Sequence, residues 1–167
     1  MNQENILIMK NLALPIRFGI IISVLLIAFF LLLSLFGLHT HPAFSLGNGI
    51  IVGFGIYETI RYYKLEQGKQ FSYSSGFTVG IVSGFLATLI FTVFFLFYAT
   101  EINSNFISNL LEVFKNDYNV SVGLVTFVVA IMGFATSVVL TLTCMQLFKD
   151  SRNITESTEE SRLKKVS

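Results

Sequence analysis

The sequence predicts an all-α integral membrane protein, a four-helix bundle made of two helical hairpins. Hydrophobic residues make up 53% of the 167 residues and charged residues only 13%, whereas a typical soluble protein has about 25% charged residues. A helix needs about 20 apolar residues to cross a bilayer, and four stretches of the chain approach or exceed that length. Backbone groups in lipid must pair within their own segment, so runs of this length are helices.

The four predicted helices are joined by a short outer connection, one inner connection and one longer outer connection. They cover residues 18–38, 44–63, 77–100 and 120–148. The second is the weakest, because Asn48, Glu58 and Arg61 interrupt its apolar run. The first is expected to be retained rather than cleaved, because its apolar run exceeds a signal-peptide core and the sequence after Leu38 is a poor cleavage site.

Composition and charge also predict the bounds of the transmembrane domain and the orientation of the chain. Residues 1–149 are predicted to form the transmembrane domain, and residues 150–167 a flexible cytoplasmic tail, since that segment is polar with mixed charge and no apolar period. Ten of the eleven Lys and Arg residues precede helix 1, lie between helices 2 and 3, or follow helix 4, and only Lys115 does not. Because basic residues accumulate on the cytoplasmic side, both termini are predicted to be cytoplasmic.

The long outer connection, Glu101 to Asn119, carries apolar residues at helical spacing with polar residues between them. This pattern predicts an amphipathic helix between helices 3 and 4. Two interpretations stay open for it. It is a simple connector lying on the outer leaflet or over the mouth of the bundle, or it binds a partner.

Small residues four apart predict where helices pack closely. They are Gly49 and Gly53 in helix 2, Gly76, Gly80 and Gly84 in helix 3, and Gly133 and Ser137 in helix 4. Residues at this spacing line one helix face and let a second backbone approach. The stripes serve either packing within one bundle or homodimerisation.

Glu58 and Arg61 form the candidate ion pair within the membrane segments, because residues three apart share a helix face. They either orient helix 2 at the cytoplasmic interface or take part in function, since ionisable groups in membranes are costly. An ion or proton relay needs acidic groups at depth on more than one helix. Helices 1, 3 and 4 have no charge in their cores, which argues against a transporter or channel.

No pattern for chemistry stands out elsewhere in the chain. His39 and His41 form a His-x-His pair of the kind that can give two metal ligands, but the sequence fixes no third ligand, so they are interpreted as ordinary loop histidines. Cys144 lies in an apolar run and is interpreted as a packing residue. We therefore predict no catalytic residue, no metal and no cofactor, and a protein that is not an enzyme. The net charge of +1 predicts no nucleic-acid partner.

The junction between helices 2 and 3 reads Tyr-Tyr-Lys-x3-Gly-x2-Phe-x4-Gly-Phe-x2-Gly from Tyr62 to Gly80. This motif, the helix count and the amphipathic outer loop resemble the family called domain of unknown function 4199. The resemblance implies a four-helix protein of the inner membrane of a Gram-negative cell, of Bacteroidota origin. It implies no activity, substrate or catalytic residue.

Together these observations predict an integral inner-membrane protein of structural or accessory character, surrounded by the lipid bilayer. It would pack with itself as a homo-oligomer or with a larger membrane complex. The alternative is a small transporter or lipid-handling protein in which Glu58 and Arg61 gate a cavity on the cytoplasmic side.

Overall fold

A computed structural model of the chain describes residues 3–38, 44–102, 107 and 121–149. The described residues form four long α-helices and no strand: α1 Gln3–Leu35, α2 Ser45–Gln67, α3 Tyr73–Phe97 and α4 Val122–Leu147. The predicted all-α bundle is thereby confirmed. His39, His41, the polar tail and nearly all of the predicted outer amphipathic helix lie outside the described residues.

The junction between α2 and α3 is tighter than the sequence predicts, because both helices extend into the expected loop. Gly68 ends α2 with a positive φ of 53°, a backbone conformation that glycine adopts at low cost. One 3-10 turn, Gly68–Gln70, follows. Ser72 then begins α3 through a capping box with Ser75, which satisfies backbone N–H groups at the helix start.

The other helix ends show similar local chemistry. Ser121 caps α4 by accepting the backbone N–H of Leu124. At its far end α3 continues into one π-helical turn, Tyr98–Ile102. The helix α1 begins well before the predicted apolar stretch and contains Pro15 in its interior.

Three of the helices are long and apolar enough to cross a membrane: Leu12–Leu35, Tyr73–Ile102 and Val122–Leu147. The chain is therefore a helical membrane protein. The helix α2 does not join these three, which fits the polar residues Asn48, Glu58 and Arg61 within it. A fourth crossing by α2 stays a prediction.

The helices α2 and α3 lie in the middle of the bundle, and α1 and α4 flank them on opposite sides. The pairs α1/α2, α2/α3 and α3/α4 run antiparallel, as two successive hairpins require. The most extensive packing, however, joins α1 to α3, which run parallel. Residues 64 apart meet along this pair, as in Ser34 with Tyr98 and Phe30 with Phe94.

One end of the bundle collects the start of α1, the end of α2, the start of α3 and the end of α4. The rings of Phe18 and Tyr62 lie 5.9 Å apart, and Lys64 contacts Phe148. We call this the basic end, because the basic residues of the described ranges belong to it, among them Arg17, Arg61, Lys64, Lys69 and Lys149.

Candidate functional site: a small-residue seam and the basic end

The glycine stripe of α3 packs against the small-residue stripe of α4 in the same chain. The partners step by four residues in opposite directions along the two helices: Gly76 with Met145, Gly80 with Thr141, Gly84 with Ser137, and Thr88 with Gly133. We call these eight residues the seam. At three steps α3 supplies the glycine, and at the fourth α4 supplies it.

Close approach in the seam leaves no room for added atoms. A methyl group on Gly84 would lie 2.8 Å from the Ser137 Cβ, and one on Gly80 would lie 2.6 Å from the Thr141 Cγ2. On Gly133 it would meet the Thr88 Cγ2 at 2.5 Å. Helices without a hydrophobic driving force between them gain dispersion contacts from such close packing.

The helix α2 closes the seam from a third side. The Cδ1 atoms of Ile60 and Ile56 would each lie 3.1 Å from a methyl group on Gly80 and Gly84, respectively. Both isoleucines are fully buried. Glycines of α3 therefore receive side chains from two neighbouring helices at once, and the centre of the bundle is closely filled.

Polar groups inside the seam are hydroxyls, and helix carbonyls accept most of them. Thr141 donates to the Ser137 carbonyl at 2.7 Å, and Ser137 donates to the Gly133 carbonyl at 2.9 Å. The Thr88 and Ser137 hydroxyl oxygens lie 3.4 Å apart, which is a long contact across the two helices. Buried hydroxyls paired in this way carry little cost.

The two predicted glycines of α2 differ from those of α3. Gly53 lies beside Leu140 of α4, and its carbonyl accepts a weak bond from the Cys144 thiol at 3.8 Å. Cys144 is buried there, as a packing residue would be. Gly49 has no atom within 4 Å of the position a methyl group would take, so no contact with the described residues explains a glycine there.

Sequence reasoning missed a second set of contact glycines, which lie against α1. A methyl group on Gly19 would meet the Ser83 carbonyl oxygen at 3.0 Å. On α2, Gly47 packs against the Phe29 ring and Gly55 against Ile22. Gly19 is isolated in its stretch, so spacing gave no signal. Gly47 and Gly55 are eight apart, which is two steps of the four-residue pattern with the middle glycine absent.

Glu58 and Arg61 do form an ion pair, but at the surface. One guanidinium nitrogen of Arg61 donates to both Glu58 carboxylate oxygens, at 3.1 and 3.3 Å. The side chains are 54% exposed for Arg61 and 28% for Glu58. The pair lies at the basic end on the outside of α2 rather than in the middle of the bundle, and an exposed pair of this kind contributes little to stability.

Lys64 has a more defined environment than either member of that pair. Its ammonium group donates to the Phe148 carbonyl at 3.2 Å, at the end of α4. It also lies 5.3 Å from the centre of the Phe71 ring and 5.9 Å from that of Phe148. A cation at a helix C-terminus complements the helix dipole, and aromatic faces add attraction. In the sequence, Lys64 is one of the basic residues between helices 2 and 3 that predict the orientation of the chain. Nothing in the sequence predicts its contact with Phe148.

Two buried polar atoms of the described chain have no hydrogen-bond partner, the Asn48 Oδ1 and the Thr92 Oγ1. Asn48 of α2 and Thr92 of α3 lie on the same helix faces as Ile56 and Gly84, which contact each other. Stepping eight residues along each helix from that pair brings Asn48 level with Thr92. Beyond the seam, on the side away from the basic end, the bundle therefore holds two unsatisfied polar groups.

Within residues 3–38, 44–102 and 121–149, no three His, Cys, Asp or Glu side chains gather in a metal-binding group.

A model of the family described as protein of unknown function DUF4199 matches residues 17–122, which is more than half of the chain. The chain belongs to this family. The resemblance seen in the Tyr62–Gly80 motif is therefore confirmed.

The DUF4199 match covers α1 from Arg17 onwards, α2, α3 and the outer connection, and it ends where α4 begins. It includes the α3 half of the seam and the part of the α1/α3 interface that follows Arg17. No curated protein and no solved structure matches the chain.

Proposed function

We propose that this DUF4199 protein is a non-enzymatic structural or accessory component of a membrane assembly. The observation that carries the proposal is the seam: the glycines and hydroxyls at the centre of the bundle are used to pack α3 against α4 and α2. Side chains of the neighbouring helices fill the space beside these glycines, and the seam residues carry no charge. Such a centre suits a rigid membrane element rather than one built around reacting groups.

The site of action is proposed to be a bacterial inner membrane, with both termini in the cytoplasm and α2 as the fourth crossing. The collection of Arg17, Arg61, Lys64, Lys69 and Lys149 at one end of the bundle supports this orientation, because basic residues favour the cytoplasmic side. Alternation of helix direction supports it as well, since it brings both ends of the described chain to the basic end.

Association is proposed to use the outer surfaces of the bundle, because the α3 and α4 stripes are occupied within the chain. Large apolar side chains are exposed along α4, among them Phe127, Ile131 and Val139. They contact lipid or a second membrane protein, either another copy of this chain or a subunit of a larger complex. Gly49 of α2 has open space beside it as well.

Extraction of the full-length protein in a mild detergent, followed by native mass spectrometry, tests this function. The expected result is an oligomer or a defined complex with another membrane protein. Gly49→Leu and Leu65→Ala, two substitutions at open positions of α2, are compared in parallel for their effect on association. A protein that stays monomeric and co-purifies with nothing contradicts the proposal.

The competing function is a transporter or lipid-handling protein gated by Glu58 and Arg61. The surface position of that pair weighs against gating. Glu58→Gln in a reconstituted flux assay addresses it directly. A flux that depends on Glu58 favours the transporter, and an unchanged flux removes this role.

A further inference from the structure

One outward side of α2 combines large apolar side chains with the ion pair. Positions 46, 50, 54, 58, 61 and 65 fall within about one third of the helix circumference. The apolar members are 65% to 73% exposed: Leu46, Ile50, Phe54 and Leu65. Glu58 and Arg61 stand between Phe54 and Leu65 in this row. We call these six residues the α2 face.

The ion pair on the α2 face leaves hydrogen-bonding groups over. A single guanidinium nitrogen of Arg61 donates to both Glu58 carboxylate oxygens, whereas a guanidinium has five N–H donors and can engage a carboxylate through two nitrogens. The other guanidinium nitrogens make no hydrogen bond to the described residues, and about half of the side chain is exposed. The pair therefore presents both N–H donors and a carboxylate to the outside of the bundle.

Lipid is a poor cover for the α2 face. The helix α2 is not among the described helices that are long and apolar enough to cross a membrane, and charged groups that face hydrocarbon are costly. The helix α4 is the contrast, because it exposes apolar side chains and has no charged residue between Val122 and Leu147. A protein surface that pairs the remaining donors suits the α2 face better than lipid does.

The charges of the α2 face make it complementary to itself. It has one acid and one base, three residues apart. Copies of one membrane protein share an orientation, so a two-fold axis along the membrane normal sets equal residues of two parallel helices at equal height. Glu58 and Arg61 differ in height by about 4.5 Å, a distance that their long side chains span. Each Arg61 can then donate to the partner's Glu58 as well as to its own.

We infer that the α2 face is a two-fold interface between two copies of this chain, in which both Glu58–Arg61 pairs join in one ring of alternating charge. The apolar side chains on either side of the ring exclude water from it, as the residues around an interface hot spot do. The inference rests on the proposed assembly role and on α2 as a membrane crossing, and it names the partner as a second copy.

Charge-complementing variants test the ring. Glu58→Arg gives the α2 face two basic side chains and Arg61→Glu gives it two acidic ones, so neither variant can form the pair within one helix. Each full-length variant is expressed alone and then together with the other, with tags of different mass. Native mass spectrometry in a mild detergent measures the dimer fraction.

Each variant alone is expected to lose dimer at least about tenfold, because like charges that face each other across an interface are strongly disfavoured. The co-expressed variants are expected to form a mixed dimer at the level of the wild-type dimer, since unlike charges then meet between copies. Single variants that dimerise like the wild type, or a mixed dimer no more abundant than the two variant homodimers, would overturn the inference.

Cysteine crosslinking tests the same face without altering its charges. Ile50→Cys is made in a Cys144→Ser background, and membranes are oxidised before non-reducing electrophoresis. A covalent dimer is expected, because Ile50 lies near the middle of the α2 face. Val139→Cys is the matched control: it is 61% exposed on α4, at a similar depth, since the neighbouring Leu140 contacts Gly53 of α2. Ile50→Cys that stays monomeric after oxidation rejects the α2 face as the interface.

The outcomes separate this interface from the broader assembly role. A dimer that crosslinks through Val139→Cys and not through Ile50→Cys, or a complex with a different membrane protein alone, keeps the assembly role and rejects the α2 face. A protein that is monomeric in native mass spectrometry and in both crosslinking arms rejects the two together.

Discussion

The helix α3 packs its two sides by opposite means. Towards α4 it presents Gly76, Gly80 and Gly84, and the backbones come close enough for a single methyl group to clash. Towards α1 it presents an aromatic cluster, in which the Phe30 ring of α1 meets four rings edge-on: Phe91, Phe94 and Phe95 of α3, and Tyr98 of the π-helical turn that follows it. The centroid distances in this cluster run from 4.9 Å for Tyr98 to 6.2 Å for Phe95.

This contrast shows two solutions to the same problem of holding helices together in lipid. The seam gains contact from small residues that let neighbouring helices approach, whereas the aromatic cluster gains it from large rings in edge-to-face geometry. The seam should therefore be sensitive to added volume, and the cluster to lost volume. Each prediction below changes one of these quantities in one region.

The largest effect is expected from Phe30→Ala, because Phe30 is the ring shared by every contact of the cluster named above. Its removal leaves a cavity and should lower the free energy of unfolding by about 3 kcal/mol. Denaturation by sodium dodecyl sulfate from mild-detergent micelles measures this change. Phe54→Ala is the control at an exposed position of α2 and should cost far less. Equal losses for both variants would mean that the cluster is not a packed core.

Gly84→Ala has the second-largest expected effect, and it tests whether the seam is sensitive to added volume. The new methyl group would clash with Ser137 and Ile56, and overpacking should cost about 2 kcal/mol. Gly49→Ala is the matched control, since open space surrounds that position and alanine improves helix propensity by up to about 1 kcal/mol. The same denaturation assay should move the two variants in opposite directions. A neutral Gly84→Ala would show that the seam is looser than described.

Lys64→Met examines the contact between α2 and the end of α4 at the basic end. Loss of the bond to the Phe148 carbonyl should cost about 1–2 kcal/mol, because the donor is charged. Arg61→Met, which breaks the exposed pair with Glu58, should cost no more than about 1 kcal/mol. Unfolding of the two variants under identical detergent conditions gives the comparison. A larger loss for Arg61→Met would reverse the importance assigned to these neighbours.

The smallest effect is expected at Thr92, beyond the seam on the side away from the basic end, and it is a gain in stability. Thr92→Val replaces a buried hydroxyl that has no partner by a group of similar shape, which should stabilise the protein by about 1 kcal/mol. Thr88→Val is the control, because Thr88 contacts the Ser137 hydroxyl and should give no gain. Destabilisation by Thr92→Val would show that its hydroxyl has a partner in the membrane-embedded protein.

The sequence was sufficient for the fold class, because hydrophobic length and charge placement are properties of each helix alone. Four-residue spacing also identified Gly76, Gly80, Gly84, Gly133 and Ser137, which the structure brings together. The spacing did not predict that these residues meet within one chain. A stripe of small residues has the same spacing whether it packs against a helix of the same chain or a helix of another protein.

Other contacts had no local signal in the sequence. The parallel pairing of α1 with α3, and with it the contact at Gly19, depends on how non-consecutive helices meet. Lys64 looked like an ordinary interface charge, because its partner Phe148 is distant in the chain. The spacing of Glu58 and Arg61 was sufficient to predict that they pair. Their exposure depends on how α2 is rotated about its axis, and the hydropathy pattern of α2, with its scattered glycines, does not determine that rotation.

The pairing of α3 with α4 inside one chain is tested most directly by disulfide crosslinking. Thr88→Cys and Ser137→Cys are combined in a Cys144→Ser background, and membranes are oxidised before non-reducing electrophoresis and thiol labelling. Because the two hydroxyl oxygens that the sulfurs replace lie 3.4 Å apart in the seam, we predict an intramolecular disulfide: both thiols become protected while the protein still migrates as a monomer. A covalent dimer formed through these cysteines, or two thiols that stay reactive, would contradict the seam.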